Sequence, residues 1–411
     1  VSPKAIYGAA LALLVLCACG SPAPKGQPTA PAPKDQPTAP APAKQRKILP
    51  AAWPTFHGSL DLDGWADVPF PEKPVEVWRI DLGAPVLSPP IAQGDRIYAV
   101  DTHGGIHALD PNGHEVWSRR FTEPAPPGRP EQPMGFDAPL ALFESTLVAC
   151  SAGGRIYAMD PATGKSRWEV NADVPILGSP NLATVATDKG TEKRLVFIDQ
   201  TVGALHALDF ADGRALWQGK VIARCDASPA VNGEIVGFGS CAGALHLFSA
   251  KTGEMLREVT IDEDSQIAGG VVFLDGRVYA STRSGKFICA NVETAQPVWV
   301  NSDCEDEALQ TPAVHGDTVV FTANDGVVYC LERETGKLRW REKLRGQPSS
   351  PVLVGDKVAV TSRGTLYLLR ASDGQRLWSS EVSDEITAPI MAGALLIVGS
   401  KDGSLVAFGE E

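Results

Sequence analysis

Five copies of one pattern place a glycine and a tryptophan fourteen residues apart: Gly154–Trp168, Gly203–Trp217, Gly285–Trp299, Gly326–Trp340 and Gly364–Trp378. Gly243–Arg257 keeps the spacing but loses the tryptophan, and the copy ending at Trp117 is shorter in its turn. Each copy is preceded by an apolar run, opened by Pro90, Pro139, Pro180, Pro229, Pro312, Pro351 and Pro389, with Gly270 in the remaining slot. The eight starts lie 38 to 49 residues apart. A period of this size marks stacked units, none of which buries its apolar face alone. Each unit offers about four short strands separated by Gly, Asp-Gly or Thr-Gly turns, the composition of a propeller blade. Proline at the first residue of a strand removes no ladder bond.

The two ends complete one another. The last unit, from Pro389, has three strands and no tryptophan, while Val75-Glu-Val-Trp78-Arg-Ile80 is an orphan fourth strand. The expectation is an all-β, eight-bladed propeller over 75–411 with four-stranded antiparallel blades, its ring closed by the N-terminal strand completing the last blade. Closure removes the open edge that such a ring otherwise exposes. A single monomeric ring is expected.

The stretch Ala158-Met-Asp160-Pro-Ala-Thr163-Gly164-Lys165-Ser-Arg-Trp168 resembles the tryptophan-docking motif of the pyrroloquinoline-quinone-like (PQQ-like) propellers, and Ala207 to Trp217 and Cys330 to Trp340 are near matches. The resemblance implies that Trp78, Trp117, Trp168, Trp217, Trp299, Trp340 and Trp378 wedge between adjacent blades, where a large ring buries much area and stiffens the joint. Trp53-Pro-Thr-Phe-His-Gly58, within a lead-in segment 53–74, resembles a stretch found before many such propellers.

The first residues read as a targeting segment. Lys4 precedes an apolar stretch, Ala5 to Leu16, that is too short to span a bilayer. Ala18-Cys19 then resembles a bacterial lipobox, whereas Leu16 before Cys17 does not, so 1–19 is expected to be a lipoprotein signal with Cys19 as the lipidated residue. An ordinary secretory signal with incidental cysteines is the alternative. Gly20 stands where family knowledge associates Asp with inner-membrane retention, which favours the outer membrane, facing the periplasm. Residues 20–52 form a Pro/Ala-rich tether containing PAPKGQPTA and PAPKDQPTA. Proline at this density favours extended polyproline II, reaching on the order of 90 Å over the segment.

The formal net charge of −12 comes without a basic stripe, so nucleic acid is not an expected partner. No Gly-x-Ser-x-Gly elbow, Walker loop or His-Glu-x-x-His helix is present, so no catalytic residue is assigned. His107, His206 and His246 share one slot in three blades; such positions diverge radially and cannot converge on one metal ion. Asp61-Leu-Asp63-Gly64 lacks the sixth-position glycine of a calcium loop. Of six cysteines beyond the signal, Cys225 and Cys241 fall on turns of the same propeller face and form the candidate disulfide.

One insertion stands out. The gap from the tryptophan to the next strand-opening proline is 11 to 13 residues, but after Trp117 it is 22. Arg119, Arg129, Met134 and Phe136 in this stretch are candidate partner contacts, because loops on a rigid scaffold vary freely; a tolerated Pro-rich insertion is the other reading. The layout resembles the propeller lipoprotein subunits of the outer-membrane β-barrel assembly machinery. That resemblance implies a non-catalytic, lipid-anchored scaffold for protein–protein interactions, with the assembly machinery as partner and no cofactor. The alternative is a PQQ-dependent oxidoreductase with calcium, or a small-ligand sensor, using the central channel. The docking role makes a direct prediction: Trp168→Ala lowers stability by roughly 3–5 kcal/mol, and a melting temperature equal to that of the unaltered chain refutes it.

Overall fold

The computed structural model describes residues 52–123, 127–260, 266–267 and 269–410. The signal segment, Cys19 and the tether up to residue 51 lie outside the described residues. Eight four-stranded antiparallel blades follow one another. Blade 1 consists of Ile91–Gln93, Arg96–Val100, Gly105–Leu109 and Glu115–Arg120, here lettered a to d from the innermost strand outward. Blades 2 to 7 repeat this order through Arg376–Glu381. Blade 8 takes strands a to c from Ile390–Ala392, Leu395–Gly399 and Ser404–Gly409, and its strand d is Val75–Asp81, paired from Val75↔Gly409 to Asp81↔Ser404. The N-terminal strand therefore closes the ring, as the orphan Trp78 unit implies.

Burial explains the sequence pattern. Strands b and c are covered on both faces by neighbouring blades, so they read as continuous apolar runs such as Thr146–Cys150, which is wholly buried. Strand d borders solvent and alternates, as in Glu115–Arg120.

The joint between blades is built from three coupled features. First, strand d bulges beside its tryptophan: Ala108 opposes Trp117 while Leu109 opposes Glu115, and the same shift recurs beside Trp168, Trp217, Trp299, Trp340 and Trp378. A bulge inserts one residue and re-aims its neighbour. The extra residue is turned outward, which accounts for the exposure of Val116, Leu256 and Val298. Second, the ring lies on a glycine of the next blade's c–d turn. Gly113 meets Trp78, Gly164 meets Trp117 and Gly336 meets Trp299; a Cβ at any of these would stand within 3 Å of the indole. These glycines also hold positive φ, +83°, +67° and +70°, so two independent demands select glycine there. Third, the indole Nε1 donates to a carbonyl of the same turn: Trp78 to Pro111 (3.0 Å), Trp117 to Pro161 (2.9 Å), Trp168 to Phe210 (3.1 Å), Trp299 to Arg333 (2.9 Å) and Trp340 to Ala371 (2.7 Å).

Three joints depart from this scheme, each for a visible reason. Trp217 stacks on Gly253, but its Nε1 has no partner, and the Ala250 carbonyl at the equivalent turn position accepts from Arg194. Trp378 finds no turn, since strands c and d of blade 8 come from opposite ends of the chain; it packs edge-on to Phe408, centroids 5.4 Å apart. Between blades 4 and 5 the tryptophan is Arg257, and the facing turn residue is Ala295 at φ +56° instead of glycine.

That pairing of changes is testable. Arg257→Trp alone meets the Ala295 methyl and gains nothing, whereas Arg257→Trp with Ala295→Gly restores the joint. In a double-mutant cycle by denaturant unfolding the pair couples favourably, by roughly 0.5–3 kcal/mol; additive effects contradict the reading of tryptophan and glycine as one unit.

Candidate functional site

The inserted loop folds back on the ring. Thr122–Glu123 pairs with Gln132–Pro133, and between them residues 124–126 lie outside the described set. Phe121 N–H donates to Gly104 O (2.8 Å) and Met134 N–H to Phe121 O (3.1 Å). Phe121 then packs against Phe136 (5.6 Å, edge to face) and Tyr157 (4.7 Å). Met134 and Phe136 are 1% and 3% exposed, so they anchor the loop and are not the partner-contact surface expected of them. Arg119 is also engaged, lying 5.0 Å over the Phe121 ring and donating to Gly164 O in the next blade. Of the four candidates, Arg129 alone is fully on the surface, at the tip. Sequence spacing located the insertion; it carried no sign of the apolar cluster under it.

All six cysteines outside the signal are free thiols. Cys225 and Cys241 are neighbours, with Cys241 N–H donating to Arg224 O (3.0 Å), but the expected bridge is not formed. Burial pushes the Cys225 thiol up to about 12, which suppresses thiolate formation at neutral pH. Cys289 and Cys330 are buried opposite Trp299 and Trp340, where a small side chain is needed.

The three slot histidines differ by their neighbours. His107 sits between two carboxylates, Nε2 3.0 Å from Asp101 and Nδ1 2.9 Å from Glu115. Burial opposes its charge, but the two hydrogen bonds and the attraction of both carboxylates outweigh it, and its pKa is raised. His206 stacks on Phe197 (5.2 Å), its Nε2 has no partner, and burial lowers its pKa. His246 Nε2 lies 2.8 Å from Ser240 Oγ, and Nδ1 is 3.1 Å from Glu258 without hydrogen-bond alignment; burial lowers its pKa as well. This serine–histidine–carboxylate sequence has the connectivity of an acyl-transfer relay. Ser240 and His246 are wholly buried, however, and Ser240 Oγ accepts from Ala242 N–H (3.1 Å), as a turn-capping hydroxyl does. Among the described residues no three His, Cys, Asp or Glu side chains assemble as a metal cage.

The central channel holds the most unexpected feature. The lead-in segment runs around the inner rim, presenting a carbonyl to the middle N–H of strand a in blade after blade. Ala92 donates to Trp53 O (2.9 Å), Leu142 to Pro54 O (2.6 Å), Val231 to Leu60 O (2.8 Å), Phe273 to Asp61 O (3.1 Å), Val314 to Asp63 O (2.8 Å) and Leu353 to Gly64 O (2.8 Å). In blade 3 the Asn181 side chain bridges instead, donating to Leu60 O while accepting from Leu182 N–H. Trp65–Ala66 then pairs parallel with Val352–Val354 of blade 7. Trp53, Thr55, His57 and Leu62 are buried. His57 presents Nδ1 to Leu62 O (2.7 Å) and Nε2 to Pro351 O (2.9 Å). Burial lowers its pKa against the two carbonyls and Asp63. Beside this collar, Trp65 stacks on His315 (3.5 Å, 3°) at a cleft of about 400 Å³ shared by blades 6 and 7. The charges lining that cleft are internally paired, Arg339 with Asp317 at 2.8 Å and Arg370 with Asp373 at 3.0 Å.

His107 makes the pH behaviour of blade 1 predictable. Its pKa is raised on folding from the ordinary 6.5, so the stability it contributes is complete below that value and is lost as pH rises through the folded value. The stability deficit of His107→Gln, from denaturant unfolding between about pH 5.5 and 8.5, shrinks as pH increases; a deficit that grows with pH contradicts the doubly paired imidazolium.

Known proteins place this architecture. A family model described as outer membrane protein assembly factor BamB matches residues 74–131, 102–342 and 324–411. A protein of that name from Burkholderia pseudomallei is 25% identical over 304 residues, 70% of this chain and 74% of the relative. Another from Bordetella pertussis is 24% identical over 270 residues, 66% of this chain and 58% of the relative. Among solved structures, BamB from Moraxella catarrhalis superposes with a TM-score of 0.68 at 20% identity, over 82% of this chain and 99% of that one. The quinohemoprotein alcohol dehydrogenase of Comamonas testosteroni also reaches 0.68, at 12% identity over 87% of this chain and 80% of that one, a likeness of fold alone. With the family model matched from the closing strand to the last blade, the chain belongs to the BamB family of PQQ-like propellers.

Proposed function

We propose that this chain is a non-catalytic scaffold of the cell envelope that serves outer-membrane β-barrel protein assembly through protein–protein contacts. The observation that carries this reading is the family match over 74–411 to proteins named for that assembly role. The proposal extends to the N-terminus: Cys19 is the lipid attachment site, a diacyl anchor gives stable membrane binding, and the tether holds the ring away from the outer membrane on its periplasmic side. The partner is the barrel-assembly machinery, met by a monomeric ring.

Two structural features support a binding role over a catalytic one. In the grouping that most resembles a catalytic relay, Ser240–His246–Glu258, the serine and histidine are buried within blade 4 and only Glu258 reaches the surface. The end of the channel where the a–b turns lie is occupied by Trp53 to Ala66. Loops therefore offer the variable surface, and Arg129 at the tip of the inserted loop is an exposed cation of that region.

A pulldown of the lipidated chain from membranes in mild detergent, with mass spectrometry of partners and an absorbance spectrum of the eluate, tests the reading. Recovery of barrel-assembly components without a quinone band is the expected result. A quinone chromophore with no assembly component sinks it in favour of the oxidoreductase alternative. Cys19→Ser is expected to release the chain into the soluble envelope fraction; persistence in the membrane contradicts the anchor assignment.

A further inference from the structure

We propose that the inner rim of the propeller is a binding site for one turn-containing peptide segment, and that residues 53–66 of this chain are its resident occupant. The rim presents strand a as an edge in every blade, and an edge strand leaves a row of N–H groups unpaired. The lead-in supplies six of the missing carbonyls, one blade at a time, and these bonds are main chain to main chain. Recognition of this kind depends on main-chain carbonyls set at the spacing of the blades and on a few side-chain anchors, not on a full sequence match. The anchors here are specific. Trp53 is 1% exposed and packs among buried apolar residues of blades 1, 7 and 8; Leu62 is 1% exposed and packs among those of blades 4 and 5; His57 spans from its own loop to blade 7; Trp65 stacks on His315.

The segment sits apart from the covalent logic of the ring. The joints run tryptophan to turn between neighbouring blades, and the ring is closed by Val75–Asp81, outside the lead-in. Pro71 to Pro74 connects the collar to that closing strand, and Glu72 and Lys73 within it are exposed. The collar is thus a ligand joined to its receptor through Val68 and Phe70, which are buried against the ring, and then through the exposed Glu72–Lys73. The ligand class is a peptide that turns between successive blades and carries an aromatic residue near each end. Any partner segment that reaches the channel from the a–b side meets the same donors and competes with residues 53–66.

The test separates ligand from core. A protease recognition sequence is inserted between Glu72 and Lys73 in the full chain, which folds intact and is cleaved afterwards. The expected result is that the N-terminal fragment co-elutes with the ring and that excess fluorescent peptide spanning residues 50–69 exchanges into it. The same peptide carrying Trp53→Ala and Trp65→Ala binds about tenfold more weakly or worse. A fragment that dissociates on cleavage while the ring keeps its melting temperature overturns the proposal, because the rim then has no affinity of its own. A fragment that leaves only when the ring unfolds overturns it equally, because the lead-in is then part of the core.

Discussion

A tryptophan lying on a glycine turn of the next blade sets the pitch of this ring. The contact needs a bulge to turn the indole out of its own sheet, a positive-φ residue without Cβ to receive it, and a carbonyl aligned with Nε1. The first falls on strand d of one blade and the other two on the c–d turn of the next, yet all recur at fixed offsets because they belong to one joint. The departure between blades 4 and 5 makes the dependence visible: where Arg257 replaces the indole, Ala295 replaces the glycine. Selection for glycine at the turn is thus partly a matter of φ, which Ala295 tolerates at some cost, and partly a matter of room for the ring.

The same joint explains what the surface exposes. The bulge residue beside the tryptophan has nowhere to go but solvent, so Val116, Leu256 and Val298 are exposed by construction. Scattered apolar residues of this kind need no partner. Outer strands otherwise carry charge, such as Arg79 with Glu76, and Glu169 paired with Arg155 of the adjacent strand, and exposed charge discourages pairing at a sheet edge.

Most of the ring was legible in the sequence, since period, offsets and orphan strand are all consequences of repetition. Blade number, antiparallel order and closure through Val75–Asp81 follow from counting. The sites were less legible, because their environments are not periodic. Phe136 and Met134 lie in an insertion that reads as polar and proline-rich, and only the fold shows Phe121 and Tyr157 waiting beneath them. Three histidines in one slot look equivalent, but Asp101 and Glu115 raise the pKa of one while burial lowers that of the others. Cys225 and Cys241 were correctly brought to one face, yet proximity of turns does not supply the side-chain geometry a disulfide requires. The collar left no trace in spacing, because main-chain carbonyls carry its recognition.

Two tasks fall on the stretch just after the tether, and they constrain how the ring is completed. The lead-in satisfies inner edges on blades 1 to 7, and the strand after it supplies the outer edge of blade 8, paired with Gly409 near the far end of the chain. Neither contact is local, so both incur a loop-closure cost that neighbouring strands of a blade avoid. Blades 1 to 7 can each form from contiguous residues, whereas blade 8 requires residues 75–81 and 404–409 together. The joint at Trp378, which has no c–d turn to receive it and rests on Phe408 instead, lies beside this discontinuous blade. Closure and the tryptophan joint without a receiving turn therefore coincide in one sector of the ring. The inner collar spans that ring independently of the outer clasp, tying strand a of blade 1 to strand a of blade 7 through a single peptide. The eighth blade is held from the outside by its borrowed strand and flanked on the inside by both ends of the collar.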